Sequence, residues 1–321
     1  MKATAEQIHN HLKDARKIVI VTHPNPDEDA LGSAAAMAEY LGRYGRDAGI
    51  FCTTPASPRL EFLPHAPLVL TDHNIFNDPM LDTILVLDSG DLRYAGIAHI
   101  VKNHPAVMIN IDHHATNEHY GQHNFVSAGA SATAEMVYRF FQYIREPVSR
   151  HMATNLLAGL IGDTDNFTNG ATTPSALGVA GELVRLGANF KLINFHTQKD
   201  KTFALLKLWG KALARLDKHE EMNLAYTYLT RADFAIDGLS ENDGDGLSNF
   251  MNNLDGVKII LVLKETSDGK IKGSFRTTDD DTDVAYLAKQ LGGGGHKKAA
   301  GFTAEGTIDE VLDRVLTLSG K

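Results

Sequence analysis

Short runs of apolar and β-branched residues, "KIVIVT" (17–22), "TILVLD" (83–88) and "AVMINID" (106–112), alternate with segments of helical period such as 30–41 and 132–144. That alternation reads as βαβ units, and it predicts an α/β fold whose mostly parallel sheet carries helices on both faces. In such sheets the working residues sit in loops just past the C-terminal ends of the strands. The ends of the three runs are therefore where site residues are expected.

Each run stops at acid or imidazole. The first opens into "HPNPDEDALGS" (23–33), which gathers His23, Asp27, Glu28 and Asp29. The second stops at Asp88, the third at Asp112, His113 and His114, and the helical "NLLAGLIGDTDNF" (155–167) delivers Asp163. A carboxylate at the end of a buried strand is unfavourable to desolvate, and several in one crevice repel one another, a conflict that divalent cations resolve. Carboxylates and imidazoles without thiolate suit Mn²⁺ or Mg²⁺ ahead of Zn²⁺, Fe²⁺ or Co²⁺. In extended backbone Asp27 and Asp29, two apart, point to the same side and would serve neighbouring ions. Two ions about 3.5–4 Å apart brace the attacking and leaving oxygens of an in-line displacement at phosphorus. Taken singly, His23 reads as a turn cap, Asp27 and Asp29 as an Asx-turn after Pro26, and Asp88 and Asp163 as helix caps. Their joint placement at four element ends favours the metal site.

The texture changes near residue 190. Residues 201–216, "KTFALLKLWGKALARL", form an apolar helix with the only tryptophan, Trp209, which reads as packing between helix and lobe. Three strand-like runs follow, "MNLAYTYLT", "VKIILVLKE" and "KIKGSFRTT", with helices near 246–254 and 284–291. The expected organisation is a metal-binding domain over 1–190, a helical linker over 191–219 and a smaller α/β domain over 220–321. In "QLGGGGHKKAAGF" (290–302), consecutive glycines let backbone N–H groups turn inward as an anion-binding nest. Arg276, in "GSFRTT", has the fork geometry for a phosphate or carboxylate.

Charge and composition exclude several alternatives. A formal net charge of −9 argues against a surface for long duplex nucleic acid, whose affinity comes mainly from Lys and Arg on phosphates. A single cysteine, Cys52, excludes an internal disulfide or a Cys-based zinc site. The amphipathic opening "MKATAEQIHNHLKDARK" lacks an apolar h-region, and no run is long enough to cross a bilayer, so a cytoplasmic protein without membrane contact is expected. "ENDGDGLSNFMN" resembles a calcium loop with Gly246 sixth, but Asn252 stands where the bidentate glutamate belongs. The acidic run from Asp279 to Asp283 reads as a solvated loop favouring the N-terminus of the next helix.

"HPNPDEDALGS", "VLDSGD", "NIDHHATN" and "GLIGDTDNF" resemble, in order, the four motifs of the DHH phosphoesterase superfamily, and "GSFRTT" with "GGGGHKKAAGF" resembles its DHHA1 domain. The similarity covers nearly the whole chain and is greatest to the bacterial branch of oligoribonucleases that also act on 3′-phosphoadenosine 5′-phosphate. The resemblance implies that His23 and Asp27 hold one metal, that Asp29, His113 and Asp163 hold the other, and that Asp88 bridges them. It implies two divalent ions, Mn²⁺ before Mg²⁺, with His114 facing the scissile phosphate. Arg276, Gly293, Gly294, Gly295 and His296 would grip the substrate. The implied activity is metal-dependent hydrolysis, by activated water, of short single-stranded oligonucleotides and linear dinucleotides to 5′-mononucleotides. The resemblance also implies 3′-phosphoadenosine 5′-phosphate as a further substrate, and a homodimer. The alternative is a signalling phosphodiesterase for cyclic or linear dinucleotides. A non-catalytic scaffold is disfavoured because no expected ligand is missing, and the glycine-rich motif sets the chain apart from the pyrophosphatases. Three residues depart from the pattern. Glu28 stands where relatives carry glycine, Ala132 where they carry a second serine, and Asp165 is an additional acid near the site.

Overall fold

The three apolar runs of the first half are strands buried on both faces. A computed structural model describes residues 1–46, 48–64, 69–198, 201–235, 239 and 246–318. The chain divides into two units, Met1–Asp200 and Lys201–Lys321. In the first, strands β1 (Ile18–Val21), β2 (Ala48–Phe51), β3 (Val69–Leu70), β4 (Thr83–Leu87), β5 (Val107–Asp112) and β6 (His123–Val126) form a sheet in the order β3-β2-β1-β4-β5-β6. Every pairing is parallel. The order reverses between β1 and β4, and that switch point opens a crevice at the C-terminal ends of the strands. The register pairs Val21 with Val86 and Leu87 with Ile111, so the residues just past β1, β4 and β5 emerge side by side.

Side chains alternate along each strand and feed two cores. Ile18, Ile20, Leu85, Leu87, Ile109 and Ile111 pack under the helices α1 (Lys2–Asp14), α2 (Glu28–Arg43), α4 (Thr133–Ile144) and α5 (Arg150–Asp163). Val19, Val21, Ile84 and Val86 face a second core with Phe51, Phe76 and Val101. That face is covered by α3 (Ala98–Val101) and by a 3₁₀ turn (His73–Asn77), shorter cover than the helices of the first. Helix α2 crosses α5 at close range, where Gly32 meets the Asn155 carbonyl: a Cβ at position 32 would lie 2.4 Å from that oxygen. Helices α6 (Pro174–Arg185) and α7 (Phe190–Gln198) complete the unit.

The second unit begins with α8 (Phe203–Leu213), the apolar helix that carries Trp209. Strands β7 (Asp217–His219), β8 (Leu224–Leu229), β9 (Ile259–Glu265), β10 (Ile271–Arg276), β11 (Gly294–His296) and β12 (Ala299–Ala304) form a mixed sheet in the order β11-β12-β10-β9-β8-β7. Only β8 and β9 run parallel. Helices α10 (Val284–Gln290) and α11 (Ile308–Thr317) cover one face through Val284, Ala288, Val311 and Val315. On the other, α8 and α9 (Leu247–Met251) bury Leu208, Trp209, Leu247 and Met251 against Ile260 and Val262. Trp209 is a packing residue, with Phe250 5.4 Å from its ring.

One feature of this unit differs from the sequence reading. The glycine run forms the edge strand β11 instead of a loop nest, because glycine lets it approach β12 closely: a Cβ at Gly293 would fall 2.1 Å from the Gly301 carbonyl oxygen. The helix expected near 246–254 forms as the short α9 from Leu247, while residues 241–245 of the calcium-like stretch lie outside the described residues. Asp283 caps α10 through the amides of Ala285 and Tyr286, as the acidic run suggested.

Asp233 closes a capping box with Thr230 and takes both arms of the Arg215 guanidinium. Burial pushes its carboxyl up, but the Arg215 hydrogen bonds and those of the Thr230 amide and hydroxyl hold it well below the usual range. Asp233→Asn is expected to remove about 2 kcal/mol of stability at pH 7. A depressed carboxyl contributes its full stability above the unfolded value of 3.8 and loses it as the pH falls through the folded value, so the deficit should narrow in acid. Urea unfolding at pH 7 and pH 3 checks both points.

Candidate metal centre

The loop after β1 turns at once into helix α2. Asp27 is its N-cap and accepts hydrogen bonds from the amides of Asp29 and Ala30, each at 3.0 Å. Asp29 therefore lies in the first helical turn, and the extended geometry expected to align it with Asp27 does not apply. It is fully buried, and α4 holds it: the Thr133 amide donates to Oδ2 at 2.6 Å and the Ala134 amide to Oδ1 at 2.8 Å. This explains Ala132. The N-cap of α4 makes no side-chain cap bond, because Asp29 on another helix supplies the carboxylate that the exposed amides need.

Asp88 follows β4 directly, with φ +56°. Aspartate tolerates this left-handed conformation better than most residues, and its appearance at a strand end marks a constrained site. The Thr133 hydroxyl donates to Asp88 Oδ1 at 2.9 Å. His23 directs Nδ1 to the Pro24 carbonyl at 3.0 Å, leaving Nε2 3.4 Å from Asp88 and 3.9 Å from Asp27. His113 Nε2 lies 3.1 Å from Asp163 and 3.6 Å from Asp88. His114 donates from Nδ1 to Asp112 at 2.7 Å, and Asn117 donates to the second oxygen of Asp112 at 2.6 Å.

The structure thus brings the first-unit residues together in three groups, each with ligand atoms within 4.8 Å of one another: His23, Asp27 and Asp88; Asp29, His113 and Asp163; Asp88, His113 and His114. Neither Glu28 nor Asp165 enters them. Glu28 is half-buried against Gly162, and Asp165 is exposed in a left-handed turn at φ +47°. In the second unit, Arg276, Gly294 and Gly295 line a separate pocket, whose lining does not include Gly293 or His296.

The charges in this cluster oppose one another. Burial, with the nearby charges of Asp88 and Asp27, pushes Asp163 up to about 8. Burial with Asp88 also raises Asp27, and burial with Asp88 and Asp163 lifts Asp29 well above the carboxylate range. Burial disfavours the His23 imidazolium, yet the Asp88 hydrogen bond, the Pro24 carbonyl and the acids raise it to about 9. Acids forced toward neutrality and an imidazole drawn toward charge are what a cation-binding crevice shows when positive charge is needed. Hard oxygen donors with imidazoles fit divalent ions, and the donor set matches that chemistry.

Sequence reasoning missed Thr133, Asn117 and the role of Asp112. Threonine at a helix start and "DHHATN" signal capping and turns, and only the fold directs their polar atoms at Asp88 and Asp112. Tyr94 was also missed; it is exposed, and its ring stacks on His23 at 5.2 Å.

The chain matches the model of the DHH family, N-terminal domain, over residues 17–160 and that of the DHHA1 domain over residues 222–319. A Thermus thermophilus protein named bifunctional oligoribonuclease and PAP phosphatase NrnA is 30% identical over 306 residues, spanning 93% of this chain and 88% of the relative. A Bacillus subtilis protein of the same name is 26% identical, spanning 93% and 92%. The crystal structure of an exopolyphosphatase-related protein from Bacteroides fragilis is similar with a TM-score of 0.88 and 25% identity, covering 99% of this chain and 96% of that one.

Proposed function

The chain belongs to the DHH family, and from that premise we propose a metal-dependent phosphoesterase that hydrolyses short single-stranded oligonucleotides and linear dinucleotides to 5′-mononucleotides, and 3′-phosphoadenosine 5′-phosphate to AMP. The observation that carries this reading is the convergence of His23, Asp27, Asp29, Asp88, His113, His114 and Asp163 in three acid and imidazole groups linked through Asp88 and His113. The names of the Thermus and Bacillus relatives support the substrate class. His23 and Asp27 would hold one ion, Asp29, His113 and Asp163 the other, with Asp88 shared. Oxygen and imidazole donors favour Mn²⁺, then Mg²⁺. When bound, such ions supply Lewis acidity to a phosphoryl group undergoing in-line displacement.

The chain's own residues set the rest. Thr133 and the α4 amides fix the two buried carboxylates before any ion arrives. Asp112 orients His114 and, chiefly through that hydrogen bond, raises its pKa. The Nε2–H would then stabilise charge on a phosphoryl oxygen or protonate the leaving oxygen. His114→Gln is expected to lower kcat by roughly 10²–10³-fold with a smaller change in KM, as steady-state kinetics on diadenylate would show.

Residues 1–190 would be the catalytic part, 191–219 the linker and 220–321 the substrate-binding part, where Arg276, the glycines and His296 hold the substrate. The reading extends to a cytoplasmic homodimer without membrane partners. The buried free thiol of Cys52 suits a reducing compartment, and among the described residues no helix is long and apolar enough to cross a membrane. Sedimentation of the full chain checks the dimer.

The test is turnover with Mn²⁺ of linear diadenylate, a five-nucleotide RNA, 3′-phosphoadenosine 5′-phosphate, cyclic diadenylate and pyrophosphate, with EDTA as control. Metal-dependent release of AMP from linear diadenylate and 3′-phosphoadenosine 5′-phosphate, and of 5′-mononucleotides from the RNA, is expected. Turnover confined to cyclic diadenylate or pyrophosphate would overturn the assignment.

A further inference from the structure

Tyr94 belongs to none of the three ligand groups, yet it stands against one of them. Its ring stacks on the His23 imidazole, with centroids 5.2 Å apart and planes 30° from parallel. His23 is buried and directs Nε2 to Asp88 and Asp27, whereas Tyr94 is 53% exposed. Burial raises the pKa of the Tyr94 hydroxyl, and the charges of Asp88 and Asp27 raise it further, so the ring forms part of the rim of the acid crevice. One face of the ring is taken by His23, and among the described residues no other ring packs on it.

The backbone that carries this ring is held in place. Asp91 Oδ1 accepts from the amides of Arg93 at 2.7 Å and Tyr94 at 2.8 Å, and the Asp91 carbonyl accepts from the Ala95 amide at 3.2 Å. Ala95 and Ile97 are fully buried in the core they share with Val86, and Leu92 packs against the same core. The Arg93 guanidinium is engaged by Glu118 and Asp91. A tyrosine on so constrained a turn offers a broad, rigid face while losing little rotamer entropy when something covers it.

We propose that Tyr94 is a stacking platform for a nucleobase of the substrate, and so a specificity-determining residue at the edge of the metal centre. The inference rests on the substrate class proposed above. In a nucleotide the base hangs one ribose from its phosphate, and Tyr94 stands one ring from a residue proposed to hold an ion at that phosphate. Every base has a π-face, so such a platform adds affinity without reading sequence. It also gives an acidic crevice a reason to prefer nucleotides over pyrophosphate, which has nothing to lay on the ring.

The test compares two ligands that share a ribose and a 5′-phosphate and differ only in the base. AMP and ribose 5-phosphate, neither a substrate of the proposed reaction, are titrated calorimetrically into the full chain with Mn²⁺. AMP is expected to bind roughly tenfold more tightly than ribose 5-phosphate. Tyr94→Phe keeps the ring and should keep the ratio, whereas in Tyr94→Leu the ratio should fall toward one with ribose 5-phosphate binding unchanged. A wild-type ratio near one, or a ratio that persists in Tyr94→Leu, overturns the platform. Equal weakening of both ligands in Tyr94→Leu overturns it too, because Tyr94 would then act only by holding His23. A base-dependent ratio that follows Tyr94, without turnover of diadenylate, would leave the platform standing and overturn the proposed hydrolysis.

Discussion

Asp88→Asn is expected to lower kcat for diadenylate by roughly 10³-fold or more, because one carboxylate serves two of the three ligand groups. The substitution keeps an oxygen for the Thr133 hydroxyl, so the local fold has its hydrogen bond while the charge is gone. Its independent readout is thermal. An ion at a hundred times its dissociation constant stabilises the folded state by about 2.7 kcal/mol. For a unit of this size that amounts to roughly 5–10 °C in Tm. Wild-type protein should show that rise on adding Mn²⁺ to an EDTA-treated sample, and Asp88→Asn should show little of it. Near-normal turnover by the variant in metal-controlled buffer would place the chemistry elsewhere.

Gly159→Ala is expected to damage fold and site together. A Cβ at this position of α5 would lie 2.7 Å from Asp29 Oδ1, 2.9 Å from Asp29 Cα and 2.9 Å from Ala134 Cβ. Two of those atoms belong to packed backbone or a short side chain, so relief requires α2 or α4 to move. Overpacking of this kind destabilises by about 1–3 kcal/mol, or roughly 3–10 °C in Tm for a unit of this length. Because the displaced group is the Asp29 carboxylate, turnover should fall further than stability. Gly178→Ala on α6 is the control: its Cβ meets nothing within 4 Å, and Ala there should be neutral or stabilising by about 0.5–1 kcal/mol. Melting curves and kinetics of both variants separate steric displacement from a general aversion to alanine in these helices.

What could be read from the chain alone follows from range. Strands β1, β4 and β5 were legible because a strand buried on both faces is a continuous apolar run, and its acidic end is conspicuous against it. Strands β3 and β11 were not, since Val69–Leu70 and Gly294–His296 are too short or too bare for a period to show. The His and Asp residues of the centre could be named in advance because charge at a buried strand end has few explanations. Thr133 could not, because its importance depends on the distant residue it faces, Asp88, and the role of Asp112 depends on the loop that turns His114 and Asn117 onto its two oxygens. Asp29 illustrates both sides. Its chemistry was apparent from the loop, but its placement was argued from extended backbone, and the helix that begins at Glu28 turns it instead into the amides of α4.

That borrowed cap binds two helices into one opening event. The amides of Thr133 and Ala134 end on a carboxylate carried by α2, so the first turn of α4 cannot fray while Asp29 stays in place. Nor can Asp29 swing free without exposing those amides to solvent. Hydrogen exchange at these two positions should therefore be slow for a helix start, and it should report the release of Asp29 rather than the ordinary loosening of a helix end.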